Sequence, residues 1–357
     1  MTGTSMDALD AALVQIDGRG LDLTATLLRT HSEPLDKLAR LLRPLAHQKR
    51  FPADKFRRCA FMLGMTHLVA LRKLLGDEAD TLDLIAVHGQ TIYHEPRMSW
   101  QLMDPWPLAS EFRRPVVFDL RGADCATGGV GAPITPIVDH LLFRHARETR
   151  AVVNLGGFVN FTWLPPTRRA RGDAAALRSI RAGDVCVCNQ LLDAIARRSL
   201  RKSFDADGAA ALSGTVDAEA LTMLAMMLDG QADKGGRSLG TGDEATQWVG
   251  MFAGDVPGPD LARTACAAVA QTVAGHIGEA DRVLVAGGGV HNQALLAELR
   301  TRLAKVETTD AHGVPTQVRE SMAIAILGAL CQDRVPITLP QVTGVMEPIV
   351  SGAWALP

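Results

Sequence analysis

The sequence feature that most limits what this chain can fold into is a set of three short glycine-rich turns. Each of these turns lies beside a predicted strand. They are Gly3-Thr4-Ser5, Asn154-Leu155-Gly156-Gly157 and Gly287-Gly288-Gly289. Glycine lets the backbone approach a ligand closely, and successive backbone N–H groups can form a concave anion site. Any one of them alone is equally well explained as a plain tight turn. Three such turns, spread over most of the chain, predict a bound nucleotide that is held by segments far apart in the sequence.

The length and charge of the chain narrow the class of protein. Its 357 residues are enough for two domains of roughly 150 residues each. Lys and Arg number 37 and Asp and Glu 39, so the net charge of -2 predicts no nucleic-acid partner and no membrane partner. The six cysteines show no framework spacing, no apolar run approaches the ~20 residues of a membrane span, and the N-terminus does not resemble a signal peptide. We therefore expect a cytoplasmic globular protein.

Strand-like and helix-like periodicities alternate along the chain, and its 33 glycines suit close layering of helices on sheets. Strands are predicted at 8–16, 21–28, 82–87, 116–120, 151–154, 158–163 and 283–286. Helices are predicted over 36–76 with a break at 51–52, at 135–147, 189–200, 215–229 and 259–277, from 292, and over 318–331, before an irregular tail. This order predicts an α/β protein with two related domains around a cleft. We place domain I at 1–132, with 335–357 as a candidate return to it, and domain II at 133–334.

Ionisable side chains follow the ends of the predicted strands, which is where open α/β sheets place their ligands. These side chains are His88, Arg121, Asp124 and Asp184. An alternative interpretation of Arg121 and Asp124 is a structural ion pair.

Other candidate groups lie in the first glycine-rich turn and in a cysteine pair. The hydroxyl groups of Thr4 and Ser5 would add hydrogen-bond donors, and Asp7 or Asp10 could reach a divalent metal directly or through water. The sequence contains no G-x-x-x-x-G-K-[ST] loop, no G-x-G-x-x-G after a strand and no HExxH. Cys186-x-Cys188 has no second cysteine pair to complete a metal site, so we interpret the two as small buried thiols in a strand.

Several sequence blocks together resemble the anhydro-N-acetylmuramic acid kinase family. The blocks are Gly3-Thr4-Ser5-Met6-Asp7-Ala8-Leu9-Asp10, His88-Gly89-Gln90-Thr91, Asp119-Leu120-Arg121-Gly122-Ala123-Asp124, Gly128-Gly129-Val130-Gly131-Ala132-Pro133, Asn154-Leu155-Gly156-Gly157, Gly287-Gly288-Gly289-Val290-His291-Asn292, Val342-Thr343-Gly344 and Pro348-Ile349-Val350-Ser351-Gly352. They appear in the family's order from residue 3 to about residue 352. The resemblance therefore extends over nearly the whole chain.

The resemblance implies a two-domain fold of the actin-like ATPase and hexokinase type, which is ribonuclease H-like, with ATP in the cleft between the domains. It implies a kinase of peptidoglycan recycling that opens 1,6-anhydro-N-acetylmuramic acid with water and moves the γ-phosphate of ATP to O6. It also implies Mg²⁺ as a cofactor, with Asp7 as its candidate ligand, and a homodimer. The implied ATP-binding residues are Gly3, Thr4, Ser5, Met6, Asp7, Ala8, Leu9, Asp10, Asn154, Gly156, Gly157, Gly287, Gly288 and Gly289. The implied sugar-binding residues are His88, Gln90, Arg121, Asp124, Gly128 and Gly129.

The implied catalytic base is Asp184. The family's base lies in a Phe-Asp-Thr-Gly-Pro-Gly-Asn segment, and the matching stretch here is Gly183-Asp184-Val185-Cys186-Val187-Cys188-Asn189. Asp184 would take a proton from the water that attacks the anomeric carbon. A role for Asp184 as a helix N-cap is the competing interpretation, although Asn189 is better placed for that role.

The chain departs from the family pattern in three places. Only Met1 and Thr2 precede the first turn where the family has a hydrophobic strand, which we expect to lie upstream of this start. Thr-Gly-Pro-Gly beside the base is replaced by Val-Cys-Val-Cys at 185–188, so restoring the family residues is expected to raise activity if loop geometry limits it. Polar contacts also change at Ala8, at Val130 and in 237–241. A relative without catalysis that binds nucleotide or sugar, and a kinase for a related amino sugar, are the alternatives.

Overall fold

The computed structural model describes residues 1–3, 6–168, 173–232 and 243–357. The chain folds into two compact units, each of which combines helices and strands, so the predicted α/β class is confirmed. Unit 1 comprises Met1–Leu142 and Val318–Pro357, and unit 2 comprises Phe143–Gln317. The predicted domain bounds were therefore misplaced, because the chain leaves unit 1 after residue 142 rather than 132 and returns at 318 rather than 335.

The strands and helices follow one another in an order close to that predicted. The strands are β1 (Ala8–Asp17), β2 (Thr24–Pro34), β3 (Ile85–Ala86), β4 (Gln90–Glu95), β5 (Met98–Leu102), β6 (Val116–Phe118), β7 (Arg150–Leu155), β8 (Phe158–Leu164), β9 (Arg181–Val187), β10 (Arg282–Ala286), β11 (Val306–Thr308) and β12 (Ala353–Ala355). The α-helices are α1 (Asp36–Ala46), α2 (Ala53–Leu75), α3 (Trp106–Phe112), α4 (Gly122–Ala126), α5 (Pro136–Phe143), α6 (Asp173–Arg178), α7 (Asn189–Ile195), α8 (Ala209–Ser213), α9 (Ala218–Ala232), α10 (Asp243–Phe252), α11 (Gly258–Ile277), α12 (Gln293–Arg302), α13 (Arg319–Gln332) and α14 (Pro340–Thr343). A π-helical turn, Ala196–Leu200, extends α7.

Two short features of unit 1 were not predicted from the sequence. Strands β4 and β5 form an antiparallel hairpin at residues that no predicted strand covers. Strand β12 lies in the predicted irregular tail and pairs antiparallel with β6. A three-residue strand is too short to show a hydrophobic period, so only its pairing partner defines it.

The sheet of unit 2 has the order β11-β10-β7-β8-β9. Strands β7, β8 and β9 form an antiparallel meander, whereas β10 pairs parallel with β7 and β11 pairs parallel with β10. Strands of this sheet and the helices around it bury a continuous apolar core. This mixed five-stranded sheet agrees with the predicted ribonuclease H-like fold.

Helix α13 belongs to unit 1 because it packs directly on the strands of that unit. A Cβ atom placed on Gly328 would lie 2.5 Å from the Cβ of Ala86 and 3.1 Å from Cγ1 of Val117. Only a residue without a side chain allows this close approach of α13 to β3 and β6. The predicted domain II had wrongly included this helix, since its sequence pattern does not show which strands it covers.

A buried ion pair joins α13 to α5, of which all residues but the last lie in unit 1. The Arg319 guanidinium donates to Asp139, and the two side chains are only 4% and 2% exposed. A charge buried to this degree is tolerated only while its partner remains in place.

We expect Arg319→Met to lower the free energy of unfolding by about 3–5 kcal/mol, because it removes one member of a buried ion pair and keeps the other. Chemical denaturation of the purified chain measures this loss. The double variant Asp139→Leu with Arg319→Met should recover most of it, since no buried charge remains. Arg58→Met removes an exposed pair with Asp54 and serves as the matched control, with an expected loss of at most about 1 kcal/mol. Equal losses in the two single variants would contradict a structural role for the buried pair.

The helical stretch Ala53–Glu78 is long and apolar enough to cross a membrane by length and composition, contrary to the expectation that no such stretch exists. Half of its apolar window is nevertheless buried inside the structure. Leu63, Leu68 and Leu74 are among its buried side chains and lie in the cores of unit 1. The core helix of a soluble protein has the same properties.

Candidate functional site

The first predicted phosphate turn joins a short bridge to β1. Thr2 pairs antiparallel with Leu9, and the backbone N–H of Met6 donates to the carbonyl oxygen of Gly3 at 3.2 Å. Met6 has a φ of 54°, in the left-handed region. Thr4 and Ser5, which carry the predicted hydroxyl donors, lie outside the described residues. Gly3 and Met6, the described residues on either side of them, are joined by this hydrogen bond.

Two hydrophobic side chains of the segment around this turn are buried. Met6 and Leu9 are 4% and 1% exposed and belong to the core of unit 1, so their side chains stabilise the fold. Ala8 and Asp10 are the first and third residues of β1.

Asp7, the predicted metal ligand, has an exposed carboxylate. Its Oδ1 accepts a hydrogen bond from Nη2 of Arg43 at 3.2 Å. Among the described residues, no group of three or more His, Cys, Asp or Glu side chains is arranged to hold a metal ion. Asp7 could thus provide one carboxylate to an ion whose other ligands come from elsewhere, as Mg²⁺ bound to nucleotide phosphates requires.

A polar cluster in unit 1 is centred on Gly131. Arg121 donates from Nη1 to the carbonyl oxygen of Gly131 at 2.7 Å, and the Gly131 N–H donates to Oδ2 of Asp124 at 2.8 Å. Arg121 and Asp124 therefore bind the carbonyl oxygen and the N–H group of the same loop residue, Gly131. Both side chains therefore stabilise the 128–133 loop. Neither the sugar-binding interpretation nor the ion-pair interpretation of the sequence included this role.

His88 is the second partner of Arg121. The guanidinium donates from Nε to Nε2 of His88 at 3.0 Å, and Nδ1 of His88 lies 3.0 Å from the carbonyl oxygen of Gly89. Burial and the Arg121 charge lower the pKa of His88 to about 3. His88 is therefore neutral near pH 7, with Nε2 as an acceptor and Nδ1 as a donor.

Two glycines of the 128–133 loop have separate structural reasons. A Cβ atom on Gly129 would lie 2.1 Å from Oδ2 of Asp124, while Gly128 has a φ of 95°. Thr343, which was not among the candidate site residues, donates from its hydroxyl to Oδ1 of Asp124 at 2.8 Å. Its sequence signal was the Val342-Thr343-Gly344 block. The Asp124 carboxylate is therefore buried with two hydrogen-bond donors in place.

Gln90 begins β4 and is 1% exposed. Its Nε2 donates to the carbonyl oxygen of Thr91 at 3.3 Å. Gln101, on the paired strand β5, was missed by the sequence analysis and donates to hydroxyl groups of Thr91 and Ser99. The predicted sugar-site residues His88 and Gln90 thus lie at the start of a hairpin with a polar face.

The two glycine-rich turns of unit 2 come together in space. A Cβ atom on Gly287 would lie 2.7 Å from Oδ1 of Asn154, and one on Gly289 would lie 2.6 Å from the Cβ of Leu155. Gly287 has a φ of 82°, which favours glycine. The turns that follow β7 and β10 are therefore neighbours at one edge of the sheet.

Asn189 connects these turns to the segment after β9. Its Nδ2 donates to the carbonyl oxygen of Leu155 at 3.0 Å, and its backbone N–H donates to that of Gly156 at 3.1 Å. Gly288 would place a Cβ atom 3.7 Å from the same side-chain nitrogen. The expectation that Asn189 is a helix N-cap is wrong, because Cys188 occupies the cap and the Asn189 side chain binds the turn instead.

Asp184 lies within β9, where it pairs with Asn160 of β8. Val159 pairs with Cys186 and Asn160 pairs with Asp184, so β9 has a bulge at Val185, which is left without a partner residue on β8. Asn160 pairs in turn with Asn154 of β7, so Asp184 lies level with the first residue of the 154–157 turn and two strands away from it, at about 10 Å between backbones. The Asp184 side chain is partly exposed. It lies on the same β7–β8–β9 meander as the 154–157 turn, which connects β7 to β8.

The residues after Asp184 form part of the hydrophobic core. Val185, Cys186, Val187 and Cys188 are each 0% exposed. Burial raises the pKa of the Cys186 and Cys188 thiols well above the ordinary value, so both stay protonated. The interpretation of these cysteines as buried thiols is confirmed, although Cys188 lies just beyond the strand. The altered 237–241 segment lies outside the described residues.

Comparison with known proteins agrees with these sequence blocks. The family model described as anhydro-N-acetylmuramic acid kinase matches residues 1–356. The anhydro-N-acetylmuramic acid kinase of Salinibacter ruber is 33% identical over 388 residues, covering 100% of this chain and 95% of its own. That of Bordetella pertussis is 36% identical over 371 residues, covering 99% of this chain and 94% of its own.

Similarity to solved structures is weaker. Component A of (R)-2-hydroxyglutaryl-CoA dehydratase from Acidaminococcus fermentans is 10% identical, with a TM-score of 0.45, and the alignment covers 89% of this chain and 98% of that one. The full-length sequence matches decide the assignment. The chain belongs to the anhydro-N-acetylmuramic acid kinase family.

Proposed function

We propose that this protein is an ATP-dependent kinase that opens 1,6-anhydro-N-acetylmuramic acid with water and phosphorylates O6. The products are N-acetylmuramic acid 6-phosphate and ADP, and the setting is peptidoglycan recycling in the cytoplasm. The observation that carries this proposal is the family match over residues 1–356. The convergence of the 154–157 and 287–289 turns supports it, because backbone N–H groups at such turns suit a nucleotide.

The turns of unit 2 would bind ATP mainly through backbone groups. Gly156 and Gly157 have carbonyl oxygens that accept from Asn189 and Cys188, which holds the turn still. A preorganised turn costs little to order when a charged ligand binds. The triphosphate would therefore meet a rigid frame, with Asn154, Gly156 and Gly157 at the phosphates and Gly287, Gly288 and Gly289 near the nucleoside.

Asp184 would act as the general base. Its carboxylate takes a proton from the water whose oxygen forms the new bond to the anomeric carbon, and the bond from that carbon to O6 breaks. O6 then takes the γ-phosphoryl group, and ADP leaves. A positioned base of this kind contributes about 10²–10⁴-fold to the rate.

The sugar would lie against the unit 1 cluster. Arg121 and Asp124 hold the 128–133 loop through Gly131, and the neutral His88 keeps Arg121 in place. Because Gly128 carries no side chain and a Cβ atom there would meet no atom within 4 Å, a sugar can contact the loop backbone closely at this residue. This cluster would therefore orient the ring, with Gln90 beside it.

Mg²⁺ would enter with ATP and neutralise charge on the phosphates. Asp7 is the residue of the first turn that could contribute a carboxylate to it, in exchange for its contact with Arg43. The match over the whole chain favours the kinase over a relative without catalysis.

Mass spectrometry in ¹⁸O-labelled water tests both halves of the reaction. Purified protein is given 1,6-anhydro-N-acetylmuramic acid and Mg-ATP, and we expect a phosphorylated sugar with the label at the anomeric hydroxyl. The same incubation with N-acetylglucosamine or N-acetylmuramic acid, which lack the anhydro bridge, measures the preference among amino sugars. Turnover of one of these without turnover of the anhydro sugar would indicate a kinase for a related amino sugar. ATP binding without any sugar product would support the relative without catalysis.

A further inference from the structure

The backbone N–H of Val187 has an unusual hydrogen-bond partner. Val187 is the last residue of β9, and β9 is the terminal strand of the sheet, paired with β8. Its N–H donates to the side-chain oxygen Oε1 of Gln231 at 3.1 Å, in a fully buried contact. Gln231 is 7% exposed and lies near the end of α9, which packs against β9. A side chain from another element therefore satisfies the last buried donor of the strand.

The next two N–H groups along the chain bind a different element. Cys188 donates to the carbonyl oxygen of Gly157 at 2.8 Å, and Asn189 donates to that of Gly156 at 3.1 Å. Three consecutive N–H groups thus connect helix α9 on one side to the 154–157 turn on the other. A displacement of residues 187–189 would move that turn.

The same segment is continuous with Asp184. Asp184 lies three residues before Val187 on β9 and is held opposite Asn160. The intervening residues 185 and 186 are fully buried, so the strand transmits a shift at Val187 rather than absorbing it in a loose loop. Gln231 is therefore connected through backbone to both the candidate base and the candidate phosphate turn.

We propose that Gln231 is a positioning residue of the kinase site. It holds the end of β9 so that Asp184 and the 154–157 turn keep their mutual geometry. This inference rests on the proposed function, since it assigns Gln231 to the same site. It names a residue that lies outside every sequence block of the family resemblance.

Gln231→Met and Gln231→Glu separate the hydrogen bond from the packing. Methionine has a similar volume but offers no oxygen to Val187, whereas glutamate keeps an acceptor oxygen at the same place. We expect Gln231→Met to lower kcat about 10-fold or more, because small misplacements of catalytic groups are costly. KM for the sugar should stay near the wild-type value, and Gln231→Glu should keep most of the wild-type kcat.

Leu228→Ala is the matched structural control. Leu228 lies one turn before Gln231 on α9, is 1% exposed and belongs to the core of unit 2. This variant should lower the melting temperature and leave kcat unchanged when measured below its transition. If Gln231→Met behaves like Leu228→Ala, with lower stability and normal kcat, the positioning role is wrong.

Hydrogen exchange separates this inference from the proposed function. The backbone amide of Val187 should exchange at least about 10-fold faster in Gln231→Met than in the wild type, because this N–H loses its hydrogen-bond partner. Inactive wild-type protein would overturn the proposed kinase and with it the positioning role. Active wild-type protein with unchanged exchange in Gln231→Met would overturn the inference and leave the kinase in place.

Discussion

Asp184→Asn is expected to lower kcat by about 10²–10⁴-fold, because the amide cannot take the proton of the attacking water. Binding of ATP should remain near the wild-type value, since the turns proposed to hold ATP are formed by backbone groups of other segments. Asparagine has nearly the same shape as aspartate, so β9 and its pairing with Asn160 should persist. Steady-state kinetics with the anhydro sugar and calorimetry with ATP measure the two effects separately.

Asp255→Asn is the matched control for this change. Asp255 is an exposed aspartate of unit 2 outside the proposed site. We therefore expect Asp255→Asn to have the kcat of the wild type. A parallel loss of ATP binding and turnover in Asp184→Asn would contradict the role of a base and indicate a structural role for the carboxylate. Normal turnover would exclude Asp184 from the chemistry.

Restoring the family's Thr-Gly-Pro-Gly at residues 185–188 is expected to destabilise the protein by about 4 kcal/mol or more. The four replaced side chains are fully buried in the core of unit 2. Replacing Cys186 and Cys188 by glycine would remove two of these side chains completely. Proline at 187 would also remove the N–H that donates to Gln231. The expectation from sequence was a gain in activity, whereas the packing around this segment predicts a loss of stability. Equilibrium urea denaturation, monitored by fluorescence, measures the change in the free energy of unfolding.

Cys186→Ala serves as the comparison, because it removes one buried sulfur and keeps the strand. Its expected loss is about 1–2 kcal/mol, well below that of the fourfold replacement. A fourfold variant that unfolds at the wild-type urea concentration would show that the segment can leave the core freely. In that case loop geometry, rather than packing, would govern the activity of this chain.

The family and the order of the elements were predictable from sequence because both are encoded in local patterns. The glycine turns at 154–157 and 287–289 follow strands with clear apolar runs, and a positive φ such as that of Gly287 favours the residue found there. Arg121 and Asp124 were recognised for the same reason, since they follow a buried strand directly. Their partner Gly131 was within a quoted block, but its role needed the hydrogen bonds.

The sequence by itself determined the α/β class, the position of the turns and membership of the family, because strand and helix periods and glycine positions depend on neighbours along the chain. Only the tertiary structure decided which distant residues meet. Thr343 lies 219 positions from Asp124, and Arg319 lies 180 positions from Asp139. The burial of residues 185–188 and the contact of Val187 with Gln231 likewise depend on strand order and helix packing. Local periodicity does not specify these pairings, since they arise only when the sheet and its helices assemble.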